Sequence, residues 1–141
     1  MQFEKQKPMK IKREVIGQMF NRAKKEAPIE TCGYLAAKDG IIVASYELTN
    51  TDYSQEHFSF NPKEQFITLR GARAKGLEVC AVYHSHPFTA AWPSTEDIKL
   101  AYDPGLLYVI ISLADGQEEI KAFRIRNQKV EPEILEVVND G

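Results

Sequence analysis

The chain has 141 residues, of which 43% are apolar and 27% charged, the ordinary range of a globular domain. Eighteen basic against twenty acidic residues give a net charge of −2, which supplies no field for holding nucleic acid or an anionic membrane surface. No run of about 18 apolar residues exists and the first ten residues lack a signal-peptide core, so a cytoplasmic protein without membrane attachment is expected.

A chain of this length buries roughly 68% of its unfolded surface, enough for a core that needs no staple, so any metal serves function rather than folding. Residues 1–141 read as a single domain with a core over about 10–138. From Lys12 to Glu26, Val15, Ile16, Met19, Phe20 and Ala23 recur at helical spacing until Pro28 stops the pattern. The β-rich runs TCGYLAAKDG and IIVASYEL follow, joined through Asp39-Gly40, a hairpin turn signal. The alternating HFSF at 57–60 reads as a further short strand, and Asn61-Pro62 then opens a second helix that ends near Gly76. Glu78 to His86 is strongly β-like and finishes against Pro87. After the loop FTAAWP, Ser94 and Asp97 have the spacing of a capping box and predict a short third helix. The continuous apolar run LLYVIISL predicts a central strand, and IKAFRIR with VEPEILEVV completes the sheet. The pattern is α+β, a curved mixed β-sheet flanked by about three helices. Cys32 and Cys80 lack CxxC spacing and read as buried apolar thiols.

His84 and His86, at i and i+2 on one strand, point to the same face, and Pro87 places them where that strand ends. Asp97 follows eleven residues later, on a helix that the intervening loop can fold back over the imidazoles. Two His and one Asp leave the fourth tetrahedral position of Zn²⁺ open, the pattern of catalytic rather than structural zinc. Such an ion lowers the pKa of a coordinated water to about 7 and polarises a carbonyl, which suits acyl-bond hydrolysis. The proton carrier is expected to be a Glu that is not a ligand, and spacing alone does not choose it. The pattern H-x-H-x7-S-x2-D arises by chance about once in ten thousand chains of this composition.

His84-Ser85-His86-Pro87 with Ser94 and Asp97 resembles the JAMM, or MPN-plus, metalloproteases of the JAB/MPN fold, which has a cytidine-deaminase-like architecture. The family carries an upstream Glu, HxHP, six residues, Ser, two residues and Asp, and Pro28-Ile29-Glu30-Thr31-Cys32-Gly33-Tyr34-Leu35 is similar to its Glu segment. The FSFNP stretch, the GLEVCAVYHSHP strand and the LLYVIIS strand stand in the family's order, so the likeness runs from about Lys10 to Val138. The resemblance implies one Zn²⁺ per chain held by His84, His86 and Asp97. It further implies that Glu30 moves the proton from the attacking water to the leaving amine, and that Ser94 hydrogen-bonds the oxyanion. The short stretch between Asp97 and Leu106 leaves little room for the insertion with which deubiquitinating members grip ubiquitin. The small prokaryotic type is therefore implied, whose substrates are the C-terminal tails of ubiquitin-like sulfur-carrier proteins.

A non-catalytic MPN-type scaffold is the alternative, although such members lack the ligands kept here. Non-haem Fe(II) chemistry also uses two His and a carboxylate, but usually on jelly rolls. A DNA-repair relative with a similar HxHP motif gains nothing from the net charge, and the absence of PCxxC excludes cytidine-deaminase chemistry. Phe88 and Trp92 are candidates for an apolar wall beside the site or for packing on the third helix, and His57 reads as structural. A substrate tail is expected to lie extended as an added strand on an exposed sheet edge, with Gly-Gly next to the bond.

Overall fold

In the computed structural model, which describes residues 8–139, one mixed sheet of eight strands carries three helices. Strand β1 (Met9–Lys12) runs directly into α1 (Arg13–Glu26). The hairpin β2 (Cys32–Lys38) and β3 (Ile41–Leu48) follows, then α2 (Pro62–Ala74) and β4 (Glu78–His86). Helix α3 (Thr95–Lys99) and strands β5 (Leu107–Ser112), β6 (Glu119–Arg126), β7 (Lys129–Glu133) and β8 (Leu135–Val138) complete the chain. Among the described residues no helix is long and apolar enough to cross a membrane.

Local chemistry explains most of the boundaries. Asp39 and Gly40 both have positive φ, 52° and 79°, which is what the two-residue turn of a twisted hairpin requires. Asn61 caps α2 by accepting from the backbone N–H of Lys63 and Glu64, with Pro62 at the first helical position. Ser94 and Asp97 form a complete capping box for α3.

The sheet order is β7-β6-β5-β4-β2-β3-β1-β8, so the two strands nearest in sequence stand at opposite ends of it. Only Ile134 separates β7 from β8, which holds their facing ends within about 7.6 Å. The sheet must therefore curl until its edges nearly meet. Val15, Met19, Phe20 and Ala23 of α1 fill the concave side against Leu35, Ala81, Val109 and Ile111, with Leu135 and Ile120 from the far strands joining the same core. The opposite, convex face carries Cys32, Tyr34 and Val82, and beside them Ile110, Phe123 and Ile125.

Two expectations need correction. Residues 57–60 are irregular rather than a strand, because their backbone groups are taken by the loop side chains of Asn50 and Thr51 and leave no ladder to join. The C-terminal run divides at Ile134, and its second half crosses to pair in parallel with β1, a short strand just ahead of the helical pattern of residues 12–26.

Parallel pairing of β4 with β5 demands a crossover, and that crossover leaves from the carboxyl end of β4, where His84 and His86 stand. Hairpin packing tightens the same region: a Cβ on Gly33 would collide with the Tyr46 carbonyl oxygen and lie 2.7 Å from Tyr83 Cε1. Gly33→Ala is accordingly expected to destabilise the fold by about 3 kcal/mol, read as a fall in the urea midpoint at unchanged slope. An unaltered midpoint would show that β2 and β3 can separate there without penalty.

A three-donor cluster beside an apolar cavity

Thr31 continues the ladder of β2 towards β4: its carbonyl accepts from Ser85 N at 3.0 Å and its N–H donates to Ser85 Oγ at 2.8 Å. Because Cys32 pairs with His84, this extended register sets Glu30 across from His86 and on the same face. The sequence thus delivers a carboxyl group and two imidazoles to one place through strand pairing alone. Asp97 arrives from the crossover, and the loop leading to it is pinned by Ser112 Oγ donating to the Thr89 carbonyl at 2.6 Å.

His84 Nε2, His86 Nε2 and Asp97 Oδ2 lie 3.0–3.1 Å from one another, and both imidazoles are buried. The second nitrogen of His86, Nδ1, is 2.9 Å from the Ala90 carbonyl, an acceptor only, so it carries the hydrogen and donates. A neutral His86 then turns a bare Nε2 lone pair towards the oxygen lone pairs of Asp97. Two lone pairs at this distance need a positive charge between them. The electrostatic balance points the same way: burial works against the charged forms, but hydrogen bonds to the two imidazoles hold Asp97 well below the usual carboxylate range. His86 likewise sits above its ordinary value, since its bonds to Asp97 and Ala90 outweigh burial. These three groups are a cluster able to hold a metal ion, and their nitrogen and oxygen donors suit Zn²⁺.

Glu30 is placed beside this cluster but is not one of its three converging atoms. Its side chain is 2% exposed, and Oε1 has no hydrogen-bond partner among the described residues. Burial pushes its pKa from 4.5 to about 8; His86 opposes the rise, and the carboxylates of Asp97, Glu96 and Glu56 add to it. A buried carboxyl group with an unused oxygen and a near-neutral pKa is equipped to accept and release a proton. Ser94 stands one hydrogen bond further out. Its N–H donates to Asp97 Oδ2 at 2.9 Å and its Oγ accepts from Asp97 N at 3.0 Å, which leaves the hydroxyl hydrogen to be donated elsewhere.

Several supports are invisible to motif reading. Asn50 is buried and donates to the carbonyls of Glu30 and His57 at 3.0 Å, while its Oδ1 accepts from Asp52 N and Ser59 N. With Glu30 N donating to the Ser54 carbonyl at 2.9 Å, residues 50–59 fix the backbone of Glu30 from both sides. The same loop lays the Phe58 ring on His84, centroids 4.7 Å apart. Phe58 is legible as an alternating aromatic and as part of the FSFNP stretch, whereas nothing in one sequence singles out Asn50 or a backbone carbonyl at Ala90.

The remaining candidates separate. Trp92 packs edge-on against Phe123 at 5.1 Å and Phe88 is largely exposed, and neither lines the cavity of about 490 Å³ that borders His84 and Asp97. His57 pairs with Asp52 at 3.0 Å on the rim of that cavity. Cys32 is buried, with its thiol pushed up by burial to about 12, and Cys80 is half-buried at about 11, so both remain protonated at neutral pH. Strand β4, which carries the two histidines, is paired on both sides, and the edge strands among the described residues are β7 and β8, neither of them a neighbour of β4.

The family and the fold are met in known proteins. Residues 12–126 match the family of prokaryotic homologues of the JAB domain. A CysO-cysteine peptidase of Mycobacterium tuberculosis is 30% identical over 131 residues, covering 91% of this chain and 90% of that protein. A solved structure of a Desulfitobacterium hafniense protein is 35% identical with a TM-score of 0.85, covering 93% of each chain. A JAB1/MPN domain protein from Archaeoglobus fulgidus is 25% identical with a TM-score of 0.66, covering 94% of this chain and all of that one.

Proposed function

Because the chain belongs to the family of prokaryotic homologues of the JAB domain, we propose that it is a zinc-dependent peptidase acting after the C-terminal tail of a ubiquitin-like sulfur-carrier protein. The observation that carries this reading is the convergence of the His84, His86 and Asp97 lone pairs beside the unpaired carboxyl group of Glu30. The peptidase name of the mycobacterial relative supports the reaction class.

In this reading one Zn²⁺ is held by His84, His86 and Asp97, and when bound it supplies Lewis-acid polarisation of the scissile carbonyl. Glu30 takes the proton of the attacking water and returns it to the leaving amine, its buried Oε1 being without a partner among the described residues. Ser94, already oriented by the capping box, donates its hydroxyl hydrogen to the developing oxyanion, an interaction worth about 3 kcal/mol in other acyl-transfer enzymes. Phe58 and the buried setting of the two imidazoles exclude bulk water from this exchange.

The test is a ubiquitin-like carrier extended by one residue beyond its Gly-Gly, incubated with zinc-loaded protein beside a version carrying Leu-Leu in that place. Mass spectrometry should show release after Gly-Gly only, abolished by a chelator. Equal processing of both tails, or processing that survives the chelator, would refute tail hydrolysis by this site.

A further inference from the structure

The proton chemistry leaves the cavity beside His84 without a use, although its volume of about 490 Å³ is that of a ligand site. Its floor is the convex sheet face one step back along the strands. Val82 lies two residues before His84, Tyr34 of β2 pairs with Val82 on one side, and Tyr108 of β5 pairs with it on the other. Phe58, Phe60, Leu100, Tyr102 and Leu106 line the rest of it. Leu100 and Tyr102 are 44% and 81% exposed, an apolar surface that an occupant would cover.

Direction follows from Glu30. Neither Glu30 nor His86 borders the cavity, and Glu30 stands across from His86 in the strand register, so a leaving nitrogen that faces Glu30 takes the amine side of the substrate past His86. The acyl side then extends over His84 and along the cavity. In an extended chain, side chains on one face recur every second residue, about 6.6 Å, which is also the step from His84 back to Val82. A tail with its terminal glycine at the three donors therefore sets the third residue before the bond above Val82. The geometry points to a specificity subsite for a bulky apolar side chain at that third position, lined by Tyr34, Phe58, Phe60, Val82, Leu106 and Tyr108. Glu96 and Asp103 at the cavity rim repel an acidic residue there. This assignment rests on the peptidase reading for the direction of the tail.

The experiment uses N-blocked peptides ending X-Gly-Gly-Ala, with X as Leu, Gly or Asp. Binding to the zinc-loaded Glu30→Gln protein is measured by calorimetry and by methyl NMR, and turnover is measured with the wild type. Leu is expected to bind about ten-fold or more tightly than Gly or Asp, with shifts at the Val82, Leu106 and Ile110 methyls. Val82→Phe, which fills the floor, should bring Leu to within about two-fold of Gly; should that variant fail to fold, Leu106→Phe fills the same space from the wall. Equal binding of the three peptides, or a Leu preference that survives filling with shifts elsewhere, would overturn the subsite. Preferential binding of Leu without cleavage by the wild type would support the subsite and sink the peptidase reading. Cleavage of all three at one rate would do the reverse.

Discussion

Glu30→Gln is expected to lower turnover by about 10² or more while making the zinc-free protein more stable, two effects of opposite direction from one atom. Gln keeps the volume and the buried packing of Glu30, so no cavity opens. What it removes is a carboxyl group that burial holds at about 8 when folded and that returns to about 4.5 when the chain unfolds. Between those values the folded protein keeps a proton that the unfolded chain releases, so stability falls as pH rises through the window. At pH 7 the difference corresponds to about 3 kcal/mol. The neutral amide carries no such dependence. Melting curves of both proteins without zinc should therefore agree closely near pH 4.5, and the advantage of the variant should widen up to pH 8. A gap that stays constant with pH would remove burial as the source of the Glu30 pKa. Turnover within ten-fold of wild type would remove Glu30 from the chemistry.

In the proposed reading, stability is given up at Glu30 because a proton carrier has to be both dry and uncommitted, and the loop of residues 50–59 provides that condition. Asn50 and Ser54 take the backbone groups of Glu30, and nothing among the described residues takes Oε1. That division of labour explains what the sequence could disclose. Side chains whose roles are local could be read: the Asp39-Gly40 turn, the Asn61 cap, the capping box of Ser94 with Asp97, and two histidines on one strand face. Each depends on neighbours within a few residues. The curved mixed sheet was expected, but the pairing that closes it does not depend on near neighbours, since β8 crosses to β1 more than 120 residues away and a run of alternating residues at the C-terminus contains no sign of its partner. The segment 57–60 shows the opposite failure. Its alternation is genuine, but Phe58 and Phe60 alternate because they face His84 and Tyr34 from a loop, and its backbone bonds go to the loop residues Asn50 and Thr51 instead of a strand. The Ala90 carbonyl that fixes the hydrogen on His86 is a main-chain group, for which no residue type is required.

Zinc should bind in one equivalent and raise the melting temperature by roughly 10 °C at a concentration one hundred times its dissociation constant. The effect arises because the ion meets three donor atoms already drawn within 3.1 Å and replaces a proton as the charge between them. His84→Ala/His86→Ala should lose both the zinc and the shift, leaving Asp97 with one exposed-side partner in the Ser94 N–H. Asp97→Asn is the more telling substitution. Its amide can preserve the fold of α3, since an oxygen remains to accept from Ser94, but it offers a neutral donor group where the cluster needs a negative oxygen. Zinc binding should therefore weaken by at least 10²-fold with circular dichroism unchanged. Ser94→Ala, by contrast, removes the acceptor for Asp97 N and should cost about 1 kcal/mol of stability while retaining zinc. Full zinc occupancy in the double histidine variant would place the ion elsewhere. Loss of zinc in Ser94→Ala equal to that in Asp97→Asn would mean that the capping box, rather than the charge on Asp97, builds the site.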